Sequence, residues 1–158
     1  MRRREEIAKT LQIADHLCVA IVVASFAATL LYCAVIQGLN LRFWLTLLVP
    51  AAAYVILGLL RDAINAPRPY DQPGFTPLLT PNKTGRSFPS RHVSSGAVIS
   101  LAIMPTCLWA GILCYAATLC LAAIRVAGGL HFTRDVLAGF FLGSLFGLLC
   151  YFIPVLCQ

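Results

Sequence analysis

The sequence predicts an all-α integral membrane protein: a helical bundle of about five transmembrane helices, with a short irregular loop between the second and third. Three observations predict it. Of 158 residues, 59% are hydrophobic and only 11% charged, which leaves too little polar surface for a soluble domain of this size. Charge-free runs extend over Leu17–Leu41, Phe43–Leu60, Val93–Ile124 and Val136–Gln158, each close to or above the roughly 18 to 20 apolar residues a spanning helix needs. The polar connection 61–90 carries six prolines, a density that forbids a long helix and places the segment outside the hydrocarbon. One domain over 1–158 is expected, with a charged N-terminal segment at 1–16 and the polar motifs between 61 and 135.

Residues 1–16 are charged, then mildly amphipathic, and Arg2, Arg3 and Arg4 suggest a cytoplasmic end. The apolar stretch that follows is longer than a leader's core and runs straight into a second one, so a cleaved leader is not expected. Span one reads as Leu17 to about Ile36. Gln37-Gly38-Leu39-Asn40 turns the chain, and span two reads as about Leu41 to Leu60. The loop that follows holds Arg61, Arg68, Lys83 and Arg86. The 93–124 run is overlong for one span and short for two; Pro105 and Gly111 near its middle favour a break. Two short spans put the N-terminus, the 61–92 connection and the 125–135 stretch on one side, whereas a single span would separate the last two. Span five, Val136 to about Pro154, carries Gly139, Gly143 and Gly147 beside Ser144, a ridge of small residues expected to pack within the molecule.

The net charge of +6 does not point to nucleic acid. Apart from Arg42, the basic residues cluster in the N-terminal segment and in the connections at 61–91 and 125–134, with few polar residues among them to read bases. All seven cysteines lie in apolar runs without metal-type spacing and read as small packing residues.

Three polar clusters remain. Arg125-Val126-Ala127-Gly128-Gly129-Leu130-His131-Phe132-Thr133-Arg134-Asp135 sits between two apolar runs, where ionisable groups are costly. His131 and Asp135, four apart, share a helical face, so a carboxylate can orient the imidazole as nucleophile or base. Arg125 offers a planar fork to a phosphate, and Gly128 and Gly129 let the backbone approach a ligand. In the first cluster, Arg61 and Arg68 are seven apart, so a helix end would present both to one side, with Pro67 and Pro69 stopping that helix. In Ser87-Phe88-Pro89-Ser90-Arg91-His92, Ser90 is a good N-cap for an anion-binding helix terminus, and His92 in the first turn can serve as a general acid. A metal held by His131, Asp135 and His92 is disfavoured, because several arginines around one carboxylate make a field for an anion. His16 reads as interfacial.

The order and spacing of these clusters resemble the type 2 phosphatidic acid phosphatase superfamily of membrane lipid phosphatases. Its signature is Lys, six residues, Arg-Pro; then Pro-Ser-Gly-His; then Ser-Arg, five residues, His, three residues, Asp. Arg61 stands at the lysine, and Arg68-Pro69 match. Pro89-Ser90-Arg91-His92 match except that Arg91 replaces glycine. Arg125, His131 and Asp135 match with unchanged spacing, while Ile124 replaces serine.

The resemblance implies metal-independent, cofactor-free hydrolysis of a lipid phosphate monoester or diphosphate of the phosphatidic acid, phosphatidylglycerophosphate or polyprenyl diphosphate type. His131 would form a phosphohistidine, Asp135 would hold its ring, and His92 would protonate the leaving group and later activate water. Arg61, Arg68, Ser90, Arg91 and Arg125 would bind phosphate. The added cation of Arg91 raises the expectation that diphosphates are accepted. The partners implied are the lipid substrate and the bilayer of the cell membrane. The family's site usually faces away from the cytoplasm, whereas Arg2, Arg3 and Arg4 argue for an inward N-terminus on the same side; either the first 16 residues are translocated or the site faces inward. The alternative is a non-catalytic membrane protein that binds anionic lipid or phosphate, but such a pocket has no need of a His–Asp pair and a second histidine. The vanadate-dependent haloperoxidases, which share the family's fold, are soluble, and this chain is not.

Overall fold

The computed structural model describes residues 2–81 and 84–156; Lys83 lies outside them. Five α-helices follow in order: α1 Arg2–Tyr32, which ends in a π-helical turn at Cys33–Gln37, α2 Leu41–Ile64, α3 Arg91–Ile103, α4 Leu108–Ala127 and α5 Thr133–Leu156. Among the described residues of the α2–α3 connection, a 3₁₀ turn at Pro69–Asp71 is the one regular piece. No strand occurs among the described residues.

The break expected in the third apolar run falls at residues 104–107, around Pro105. It divides the run unevenly. The 13 residues of α3 rise about 20 Å, short of a hydrocarbon layer of about 30 Å. Helices α1, α2, α4 and α5 are each long and apolar enough to cross a membrane. The charged N-terminal segment is not separate from the first span but forms the start of one continuous helix.

Short as it is, α3 is the centre of the bundle and packs on all four other helices, most extensively on α5. Small residues permit that. A Cβ at Gly139, Gly143 or Gly147 would come under 3.0 Å from Ser90 O, Ser94 O and Leu101 Cβ respectively. The glycine ridge of α5 thus lies against α3, which is the intramolecular packing expected of it. On the other flank, Gly96 of α3 admits Thr118 of α4.

One end of the bundle gathers the polar segments. The Arg4 guanidinium donates to Thr76 O at 3.0 Å. Leu78 and Leu79 N–H donate to Gly128 O at 3.0 and 3.1 Å, and Ser90 N–H donates to Asp135 O at 2.9 Å. The N-terminus, the 65–90 loop and the α4–α5 turn are therefore together, as two short spans require. Gly128 and Gly129 serve this junction rather than a ligand: a Cβ at Gly128 would strike Leu79, and one at Gly129, where φ is +75°, would meet Phe75 and Pro77. At the opposite end, Arg42 of α2 donates to Pro105 O in the α3–α4 turn.

Candidate active site

Helix α2 ends earlier than the Arg61–Arg68 spacing suggests. Asn65 takes the left-handed conformation (φ 44°, ψ 42°) after Ile64, and Arg68 is extended (φ −94°, ψ 163°). The two arginines do not share a helical face, because the prolines at 67 and 69 disfavour helix for the residues before them. The loop brings Arg68 back instead. Arg68 N–H and Gly85 N–H both donate to Asp71 Oδ2, at 2.8 and 2.9 Å, and Arg68 Nε donates to Gly85 O at 2.9 Å. Folding the loop around one carboxylate buries Arg68 to 8% exposure beside Arg61 at 7%.

Ser90 occupies the N-cap position of α3, but its hydroxyl makes no capping bond. Its backbone is pinned to α5 through Asp135 O, where Gly139 lets the two segments close. Its Oγ is buried with no hydrogen-bond partner in the structure, as is Arg61 Nε. Such orphaned donors are rare and call for a ligand or water. Arg91 does not crowd the α3 terminus. Its guanidinium lies 5.1 Å from the centroid of the Tyr54 ring and donates to Tyr54 Oη at 2.9 Å.

His131 lies between α4 and α5, and its N–H donates to Arg125 O at 3.3 Å. Its Nδ1 is 3.7 Å from Asp135 Oδ2, too far for the direct hydrogen bond expected. Ser87 stands between them. Its hydroxyl donates to Asp135 Oδ2 and lies 3.3 Å from His131 Nδ1. Phe132 N–H gives Asp135 Oδ2 a further bond at 3.1 Å. Ser87 and Asp135 are both fully buried. In the sequence Ser87 is marked only by its place immediately before Phe88-Pro89, and nothing there assigns it a role. Burial holds the His131 pKa below the ordinary imidazole value, with Arg68 and Arg61 adding to the effect and Asp135 opposing it, so the ring is neutral and nucleophilic at neutral pH.

Arg125, in the last turn of α4, is ion-paired with Asp15 of α1: Nη2 donates to Oδ2 at 2.9 Å, and Nε lies 2.7 Å from Oδ1 without the alignment of a hydrogen bond. Asp15 lies outside all three sequence clusters and was not foreseen. Its one sequence signal is that it is a carboxylate at the threshold of an apolar run.

These residues enclose a cavity of about 150 Å³ lined by Arg61, Arg68, Arg91, His92, Arg125 and His131, with Arg86 and Thr80 from the loop. Six of the eight residues predicted from sequence line it. Asp135 stands behind His131 through Ser87, and Ser90 starts the helix that bears His92. Arg86 is an addition; it pairs with Asp62 at 3.4 Å. A second, apolar space of about 330 Å³ adjoins it, lined by Val19, Val22, Val23, Ile99 and Leu121 among others, and it shares Arg91 and His92 with the cavity.

Comparison with known proteins agrees with this architecture. A family model described as PAP2 superfamily matches residues 16–156. An undecaprenyl-diphosphatase from Sulfolobus acidocaldarius is 35% identical over 107 residues, which is 65% of this chain and 51% of that protein; the chain spans about half the length of that curated relative. Among solved structures, a transmembrane PAP2 type phosphatidylglycerolphosphate phosphatase from Bacillus subtilis superposes with a TM-score of 0.69 at 24% identity, covering 96% of this chain and 78% of the other. Aquifex aeolicus LpxE superposes with a TM-score of 0.72 at 18% identity, covering 92% and 85%. At those identities the two structures establish the fold: an all-α integral membrane bundle.

Proposed function

This chain belongs to the PAP2 superfamily, and from that premise we propose that it hydrolyses a lipid phosphate in the cell membrane through a phosphohistidine. The observation that carries the reading is the cavity itself. Guanidinium groups from α2, the loop, α3 and α4 converge on two histidines of different surroundings, with the buried one backed by Ser87 and Asp135.

In this reading His131 Nε2 attacks phosphorus while Nδ1 is held through Ser87. The P–O bond to the lipid breaks and its electron pair goes to the leaving oxygen, which His92 protonates. His92 then takes a proton from water, the water oxygen attacks phosphorus, the N–P bond breaks and phosphate is released. Arg61, Arg68 and Arg125 meet the phosphoryl oxygens, where charge builds in the transition state; among the described residues, Ser90 Oγ and the Nε of Arg61, Arg91 and Arg125 are buried donors with no hydrogen-bond partner. The guanidinium groups supply the positive charge that a metal would otherwise bring. Because His92 and Arg91 border both spaces, the leaving group extends past them and its tail lies in the apolar groove. Arg91 then sits where the second phosphate of a diphosphate would be, which favours the polyprenyl diphosphate type among the candidate substrates.

The test is phosphate release from detergent-solubilised protein in excess chelator. Vanadate should block it, and His131→Ala should lower it about 10³-fold or more. Parent-like activity in His131→Ala overturns the nucleophile assignment, and a phosphate-binding parent without hydrolysis would leave the non-catalytic reading.

A further inference from the structure

We propose that Asp15 is a positioning residue for the phosphatase site: it holds the guanidinium of Arg125 and tempers the cavity's charge so that product phosphate is released. The proposal rests on the reading of the cavity as a phosphoryl-binding site.

The pair joins residues 110 positions apart, on α1 and α4. It is not a surface contact, since the side chains are 11% and 13% exposed. A charge-assisted hydrogen bond in such surroundings is held more firmly than exposed pairs that come and go in water. A guanidinium offers a second edge through Nη1. With Nη2 bonded to the carboxylate and Nε turned to the same side, Arg125 keeps that second edge for the cavity, which it lines beside His92 and His131.

The charge balance gives the pair its further consequence. Five arginines line the cavity. Asp62 meets Arg86 at a largely exposed site, Asp71 accepts from the backbone N–H of Arg68 and Gly85, and Asp135 is turned to Ser87 and Phe132. Among the described residues, Asp15 is the carboxylate that engages a cavity arginine with both oxygens. Without it, Arg125 can offer phosphate its Nε–Nη2 edge and an uncompensated charge. That binds free phosphate more tightly without favouring the transition state, and it slows product release.

The experiment measures turnover and inhibition by inorganic phosphate for the full-length protein in detergent, with Asp15→Asn, Asp15→Ser and Asp15→Glu. In both neutral variants the inhibition constant for phosphate should fall about tenfold while kcat falls, and Asp15→Glu should restore the parent's inhibition constant. A merely structural role would lower kcat and weaken or leave unchanged the inhibition. That outcome, in either neutral variant whose thermal unfolding shows it folded, overturns the proposal. Failure of the underlying phosphatase reading looks different: the parent itself would then bind phosphate and release none from the lipid.

Discussion

The charged cavity and the apolar groove beside it meet at Arg91 and His92 and share no other lining residue. The cavity is assembled from an irregular loop and the ends of three helices, and most of its charged side chains have a named partner: Gly85 O for Arg68, Asp62 for Arg86, Tyr54 for Arg91, Asp15 for Arg125, Ser87 for His131. The groove is lined chiefly by apolar side chains, the valines of α1 with Ile99 and Leu121, beside Tyr54 and Ser95. Directional bonds position atoms to fractions of an ångström, whereas apolar packing sets only size and shape. Changes in the cavity should therefore act on the chemical step, and changes in the groove should act in graded fashion on binding. The two shared residues are where the distinction can be broken.

The largest effect is expected at His92. If it protonates the leaving oxygen, His92→Ala should lower kcat by about 10² to 10⁴ with a lipid substrate. An aryl phosphate, whose leaving group needs no proton, should lose far less in the first step. An equal loss with both substrates in the burst of leaving-group release, which reports the first step alone, would assign His92 to binding rather than to protonation of the leaving group. Arg91 should show a smaller and more selective effect. Arg91→Gly should lower the ratio of kcat/KM for a lipid diphosphate over the matching monophosphate about tenfold, as expected for one charged contact to a phosphate. Equal ratios in parent and variant would remove Arg91 from substrate selection and leave its bond to Tyr54 as its role.

The same contrast explains what could be read from the sequence. The charge-free runs, the break near Pro105 and the glycine ridge of α5 were legible because membrane spans are defined by length and composition, and helix contact by small residues at fixed spacing. The site residues were legible because ionisable groups between spans are few. What escaped was every contact set by tertiary approach. Arg61 and Arg68 meet across a loop rather than along a helix. Ser87 reaches His131 from 44 positions away, and Asp15 reaches Arg125 from 110. The groove left no motif at all, because Val19 or Ile99 facing a substrate tail looks in sequence like Val or Ile facing another helix.

The groove is therefore best tested by filling it. Val19→Trp should raise KM for a long-tailed lipid phosphate two- to fivefold, leave kcat nearly unchanged and leave a short-chain, water-soluble phosphate ester unaffected. The effect is small for a physical reason. Each methylene moved from water to an apolar site is worth about 0.8 kcal/mol, but a tail leaving a micelle or bilayer is already in apolar surroundings, so the groove contributes only the difference in packing. Val19 lies four residues after Asp15, on the same face of α1, so a bulky side chain there can also disturb the Asp15–Arg125 pair. The two outcomes separate cleanly. Displaced tail alone leaves phosphate inhibition at the parent value, whereas a disturbed pair changes that inhibition and affects short and long substrates alike; the second result would make α1 part of the charged cavity's support rather than a wall of the groove.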